Sequence, residues 1–224
     1  MSTFSDPDAV ARYAEGPVRL VPGFHDLQRM AALLLAERCG PEAEILVLGA
    51  GGGLELKAFA ERYPGWHFTG VDPSGEMLAL AARTLGPLAP RADLHEGFIE
   101  TAPEGPFDGA TSLLTLHFVP REARLSTLAA LHRRLKPGAP LVLAHHSFPQ
   151  GAGEKTVWLD RYAAFAASSG VPAQNARGAA EAIAVRLPTL SPQEDEALLA
   201  EAGFTGIGLF YAGFTFRGWV AYRG

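Results

Sequence analysis

Cysteine is almost absent: Cys39 is the only one in 224 residues, so neither an internal disulfide nor a cysteine-based zinc cluster can be built. Basic residues are also short. Lys plus Arg number 19 against 24 Asp plus Glu, a formal charge of −5, which disfavours strong binding to a nucleic-acid backbone. No long hydrophobic run occurs. The most apolar early stretch, Met30 to Ala36, is too short to span a bilayer, and the first residues lack the basic, apolar, small-residue order of a secretory signal. Charged residues are 19% and apolar residues 48%, which excludes a mostly disordered chain. The expectation is a soluble cytoplasmic protein of one domain, 1–224, large enough to bury its own core.

What is present is a regular alternation punctuated by Gly and Pro. Residues 25–38 place Leu27, Met30, Ala31, Leu34 and Leu35 on one helical face. The run 45–48 then reads as a strand covered on both faces, followed by a helix at 54–62, a strand at 66–71 and a helix at 74–84 with Ser74 as its cap. Strands at 92–96, 109–116 and 141–144 follow, with a helix at 121–135 between the last two. Such alternation predicts a doubly wound α/β sheet. Residues 154–187 are Ala-rich and helical throughout, a two-helix insertion expected to act as a lid over 150–188. A helix at 191–202 and strands near 206–212 and 214–222 close the chain, the last two as an antiparallel hairpin.

Gly49-Ala50-Gly51-Gly52-Gly53 lies between the first strand and the next helix, where glycines allow a tight turn and close approach of a ligand to the main chain. Asp72, at the end of the following strand, can accept hydrogen bonds from both ribose hydroxyls of a nucleoside. Leu54 stands where a dinucleotide fingerprint has its third glycine, which weakens a nicotinamide reading, and no P-loop is present. His117 follows the fourth strand. His145 and His146 follow the fifth and point by alternation to opposite faces. A histidine here suits proton abstraction from a hydroxyl or amine, so His117 and His145 are the catalytic candidates. Adjacent histidines without a helical His pair give no reason to expect a metal. Trp158, Tyr162 and Phe165 share helical spacing as a core stripe or substrate wall, Asp160 and Arg161 read as solvated, and Tyr13 is a candidate to close over the site, with no geometry for it in the sequence.

Five segments in order resemble the class I S-adenosylmethionine-dependent methyltransferases. They are Ile45 to Gly53, Phe68 to Ser74 with Met77-Leu78, Phe107 to Ala110, Leu135 to Leu143, and Leu199 to Phe204. The resemblance implies a Rossmann-like seven-stranded sheet of order 3-2-1-4-5-7-6 with strand 7 antiparallel, and S-adenosylmethionine as cofactor. It places Gly49, Ala50 and Gly51 at the methionine part, Asp72 at the ribose, and Pro73, Met77, Phe98 and Ile99 around the adenine. Leu113 to His117 would face the sulfonium and the acceptor. Two positions depart from the family pattern. Val47 stands where an acidic residue is frequent, and Phe98 where an Asp often flanks the adenine.

Leu20 to Phe24, Thr115 to Phe118 and Phe214 to Phe216 resemble the carboxy-S-adenosylmethionine synthase group, which implies that Phe24 covers the cofactor. That group's lid arginine would fall near Ala180 or Glu181, with Arg177 and Arg186 as the nearest substitutes. The implied activity is methyl transfer to a small organic acceptor. The alternatives are carboxylated-cofactor synthesis and a non-catalytic cofactor-binding module. The implied partner is a small molecule rather than a membrane or nucleic acid, and a homodimer is left open.

Overall fold

A computed structural model describes residues 15–224. Seven strands form one sheet: β1 (Glu44–Leu48), β2 (His67–Asp72), β3 (Ala92–Glu96), β4 (Gly109–Leu113), β5 (Pro140–His146), β6 (Phe204–Gly213) and β7 (Phe216–Arg223). Their order is 3-2-1-4-5-7-6, and β7 runs antiparallel to both β5 and β6. The order reverses between β1 and β4, and at such a switch point the carboxyl ends of the strands open into a crevice.

Alternation along the strands sends side chains into two separate cores. Ile45, Val47, Val142 and Ala144 enter one, covered by α2 (Phe24–Ala36), α3 (Leu54–Arg62) and α4 (Gly75–Leu85). Leu46, Leu48, Leu141 and Leu143 enter the other, covered by α5 (Arg121–Arg134) and α8 (Pro192–Glu201). Both faces are dry, which is why β1 and β5 read as unbroken apolar runs. The Ala-rich stretch forms α6 (Glu154–Ser168) and α7 (Ala173–Arg186), which pack on each other and feed Leu159, Tyr162 and Ile183 into the first core.

Two elements differ from the pattern read along the chain. A short helix α1 (Glu15–Leu20) with no buried residue precedes α2 and carries no apolar periodicity to announce it. The strand expected over 109–116 ends at Leu113, because Leu114 adopts a left-handed φ of 59° and a 3-10 turn follows at Leu116–Phe118. Helix α8 begins after Ser191, whose hydroxyl accepts from the Glu194 amide while Glu194 bonds back to the Ser191 amide, a capping box. Tyr13 lies outside the described residues.

Candidate active site

The turn after β1 is built by three left-handed glycines, Gly49 (φ 81°), Gly51 (φ 48°) and Gly53 (φ 79°). A side chain at Gly49 would stand 1.9 Å from the Thr115 hydroxyl, and one at Gly53 would stand 2.8 Å from the Ala81 backbone in α4. The third glycine therefore serves helix packing one position earlier than a dinucleotide fingerprint has it. The amides of Gly49 and Ala50 both donate to the Val71 carbonyl, at 2.8 and 3.0 Å. Asp72 then locks the turn. One carboxylate oxygen accepts from the Gly51 amide and the other from the Ser74 amide, each at 3.0 Å. Burial raises the Asp72 pKa, and those two amides oppose the rise. Each carboxylate oxygen keeps a second lone-pair site for a ligand hydroxyl.

Beyond this turn a cavity of about 670 Å³ opens at the carboxyl ends of β1, β2, β3 and β4. Gly49, Gly51, Asp72, Pro73, Met77, Phe98, Ile99 and Leu113 line it. Phe98 is 65% exposed at its mouth, whereas Ile99 is buried. Two residues expected at the cofactor do not line it. Ala50 turns its side chain toward Gly70 of β2, and Phe24 is buried at the start of α2 in the first core. Among the described residues the titratable lining is acidic throughout: Asp72, Glu76, Glu96 and Glu100, with no Lys, Arg or His.

The histidines divide as the alternation predicts. His146 stays on the first face, stacked on Phe216 at 4.0 Å with its Nδ1 3.0 Å from the Thr215 hydroxyl. Burial first, and the neighbouring His145 second, push its pKa down to about 3. His117 accepts the His146 amide at its Nδ1 (3.3 Å), so the network assigns the proton of the neutral ring to Nε2. Burial holds His117 well below its ordinary pKa, helped by charge on His146, His145 and Arg124.

His145 is a correction to the sequence reading. It lines no part of the cavity and is buried on the opposite face beside Trp219, with its Nε2 3.2 Å from Asp195. At that separation no hydrogen bond forms, and both imidazole nitrogens and Asp195 Oδ2 are left without a hydrogen bond among the described residues. The physical reason is the pleat: His145 stands two positions after Leu143 and so shares its face, toward α5 and α8. Asp195 also pairs with the fully buried Arg124 at 3.3 Å, and Arg124 donates to the Val119 and Pro188 carbonyls.

Other expectations fall as follows. Leu114 and Thr115 line the cavity with Leu113, but Leu116 and His117 do not. Tyr162 is buried against His146, while Trp158 and Phe165 are only partly covered. Asp160 is exposed, and Arg161 lies over the Trp158 ring. Arg177 and Arg186 are both exposed. Among the described residues no group of three or more His, Cys, Asp or Glu is placed to hold a metal, and no helix is long and apolar enough to cross a membrane.

One buried group had no forewarning. Glu55, in the first turn of α3, is buried with Oε1 2.5 Å from the Thr111 hydroxyl, and burial raises its pKa to about 8. Thr111 is the β4 partner of Val47, so a carboxyl does lie beside the position where Val47 replaces an acid.

The fold and cleft have counterparts. A methyltransferase domain model matches residues 45–138. Carboxy-S-adenosyl-L-methionine synthase of Chromohalobacter salexigens is 30% identical over 225 residues, covering 97% of this chain and 82% of the relative. The chain belongs to the class I S-adenosylmethionine-dependent methyltransferases. A methyltransferase from Aquifex aeolicus shares the fold at TM-score 0.65 and 17% identity, over 98% of this chain and 99% of that one. Human N-acetylserotonin methyltransferase does so at TM-score 0.65 and 15% identity, this methyltransferase spanning 57% of its length. The cofactor is S-adenosylmethionine, and the residues present fit it: a turn that side chains would fill, a carboxylate at the end of β2, and an acidic cavity for a cationic ligand.

Proposed function

We propose that this methyltransferase serves a small organic acceptor, admitted beside the Leu113–Thr115 end of the cavity and shaped by α6 and α7 acting as a lid. The observation that carries the reading is the charge of the lining, with four carboxylates and no cationic side chain among the described residues. S-adenosylmethionine has a net positive charge and is favoured there, whereas the pyrophosphate of a nicotinamide dinucleotide would be repelled. Bound, the cofactor supplies a methyl group activated by its sulfonium. Asp72 would hold the ribose, the amides of the Gly49–Gly51 turn would meet the methionine end, and Phe98 and Ile99 would flank the base.

The protein's contribution to the transfer is then alignment and exclusion of water, which together lower a displacement barrier substantially. His117, fixed at Nδ1 by a backbone amide and set behind the cavity lining, would not take a proton from the acceptor. A second reading, synthesis of a carboxylated cofactor, is favoured by the relative that matches nearly the whole chain. It requires a cation for the added carboxylate, and among the described residues neither the lining nor α7 offers one, since Arg177 and Arg186 are exposed.

Calorimetric titration with S-adenosylmethionine, S-adenosylhomocysteine and NAD tests the proposal. The first two should bind one-to-one and NAD should not. Asp72→Ala should weaken them by about 100-fold, the value of two charge-assisted hydrogen bonds. Preference for NAD, or indifference to Asp72→Ala, would overturn the reading. Mass spectrometry of the nucleoside that co-purifies distinguishes an ordinary from a carboxylated cofactor.

A further inference from the structure

Arg217, at the start of β7, is half-buried, and its guanidinium is held in place by its own chain. One terminal nitrogen, Nη1, donates to the carbonyls of both Phe214 and Phe216, at 2.7 and 2.8 Å. Its other donors, Nε and Nη2, have no partner among the described residues. These two are the parallel pair that meets a carboxylate face to face. Arg217 also lies 5.2 Å from the centre of the Trp158 ring, and Arg161 lies 4.5 Å from the same centre. Neither guanidinium has a carboxylate within ion-pair distance among the described residues, in a chain where acids outnumber bases. Two like charges gathered on one indole repel each other, and a bound anion would relieve that repulsion.

The location matters as much as the charge. Arg217 pairs with His145 and Phe216 with His146 in the β5–β7 register, while Ala144 pairs with Leu113 at the cavity wall. From β7 to β4 is two strand spacings, about 10 Å, on the same carboxyl-end rim as the cavity. The end of β5 lies between the two and the described lining does not reach Arg217, so an acceptor held at both points would pass over the end of β5.

We infer that Arg217, assisted by Arg161 on the Trp158 platform, is an anchoring subsite for a carboxylate on the acceptor, so that the acceptor is a small organic acid. The inference rests on the methyl-transfer reading for its meaning, since it names the class of molecule that reading leaves open. Arg217 fixes one end of the acid, and the other end is presented at Leu113–Thr115.

The test is calorimetric titration of the protein, with and without S-adenosylhomocysteine, using 4-hydroxybenzoate and succinate. The neutral amides 4-hydroxybenzamide and succinamide serve as controls. At least one carboxylate should bind saturably at millimolar concentration, about tenfold or more tighter than its amide. Arg217→Gln should remove that preference, Arg217→Lys should keep only part of it, and Arg161→Gln should weaken it several-fold. None of the three should change the affinity for S-adenosylhomocysteine, which also reports that they are folded. Equal binding of acid and amide, no binding of either carboxylate, or indifference to Arg217→Gln and Arg217→Lys would overturn the subsite. A carboxylated S-adenosylmethionine supplies the last arm. If Arg217→Lys weakens that ligand and not the free acids, Arg217 reads the cofactor and the acceptor subsite is wrong. Failure of S-adenosylhomocysteine to bind would count against the methyl-transfer reading alone, because the acid titrations without it stand by themselves.

Discussion

At the β1–β2 side of the cleft the polar atoms are main-chain amides, arranged by three glycines and held by the single carboxylate of Asp72. At the β5–β7 side they are imidazoles and guanidiniums, most of them buried and linked across distant parts of the chain. The first arrangement is local. It depends on backbone conformation, so its parts lie within about one strand and one turn of each other. The second is tertiary, and each charge is tolerable only because another element brings its partner. Damage to the first side should therefore cost ligand affinity, and damage to the buried pairs of the second should cost the fold.

The largest expected effect is on the second side. Asp195→Ala leaves Arg124 buried without its counter-charge, which should destabilise the protein by about 3 to 5 kcal/mol in denaturant unfolding. Asp72→Ala should lower stability far less while abolishing most cofactor affinity. If the two variants lost similar stability, the division between a local and a tertiary side would fail.

A pH series sharpens the same contrast. Glu55 in the folded protein has its pKa raised from 4.5 to about 8, so folding favours its neutral form. Its contribution is complete below about pH 4.5 and is lost as pH rises through 8, a change on the order of 5 kcal/mol. His146 works in the opposite sense. Its pKa is lowered to about 3, so its contribution is complete above pH 6.5 and falls away as the pH drops toward 3. The thermal midpoint should accordingly fall on both sides of weakly acidic pH. Glu55→Gln, which keeps a partner for Thr111, should flatten the alkaline limb and leave the acid limb alone. An unchanged alkaline limb would show that Glu55 is already ionised.

These two sides differed in how far the sequence disclosed them, and for a physical reason. Gly49, Gly51, Gly53 and Asp72 announce themselves because a turn between a strand and a helix leaves a mark on consecutive residues. The alternation of strand and helix likewise follows from punctuation, and the strand order from the family that the five ordered segments resemble. The opposite faces of His145 and His146 follow from the pleat, but what waits on each face does not. Asp195 lies 71 positions from Arg124, and nothing in its helix distinguishes it from the solvated acids beside it. Glu55 looks like any early-helix acid, and only the approach of β4 turns it into a buried one. Strand β4 stops short because Leu114 turns left-handed, a conformation that leucine rarely adopts and that its sequence does not signal.

The smallest effect concerns a single proton. His117 and His145 both read as candidate bases on position alone, yet their ring nitrogens meet different neighbours. The His146 amide can only donate, so the His117 Nδ1 facing it must present a lone pair and Nε2 must carry the hydrogen. Protonating the ring would break that contact inside a dry site that already repels positive charge. Nitrogen–proton correlation NMR should therefore find His117 as the neutral Nε2–H tautomer from pH 8 down to pH 5, with no titration near 6.5. A ring that titrates at its ordinary pKa, or that carries its proton on Nδ1, would restore His117 as a proton acceptor. The acceptor would then need to lose a proton to this side chain, and alignment alone would no longer account for the transfer.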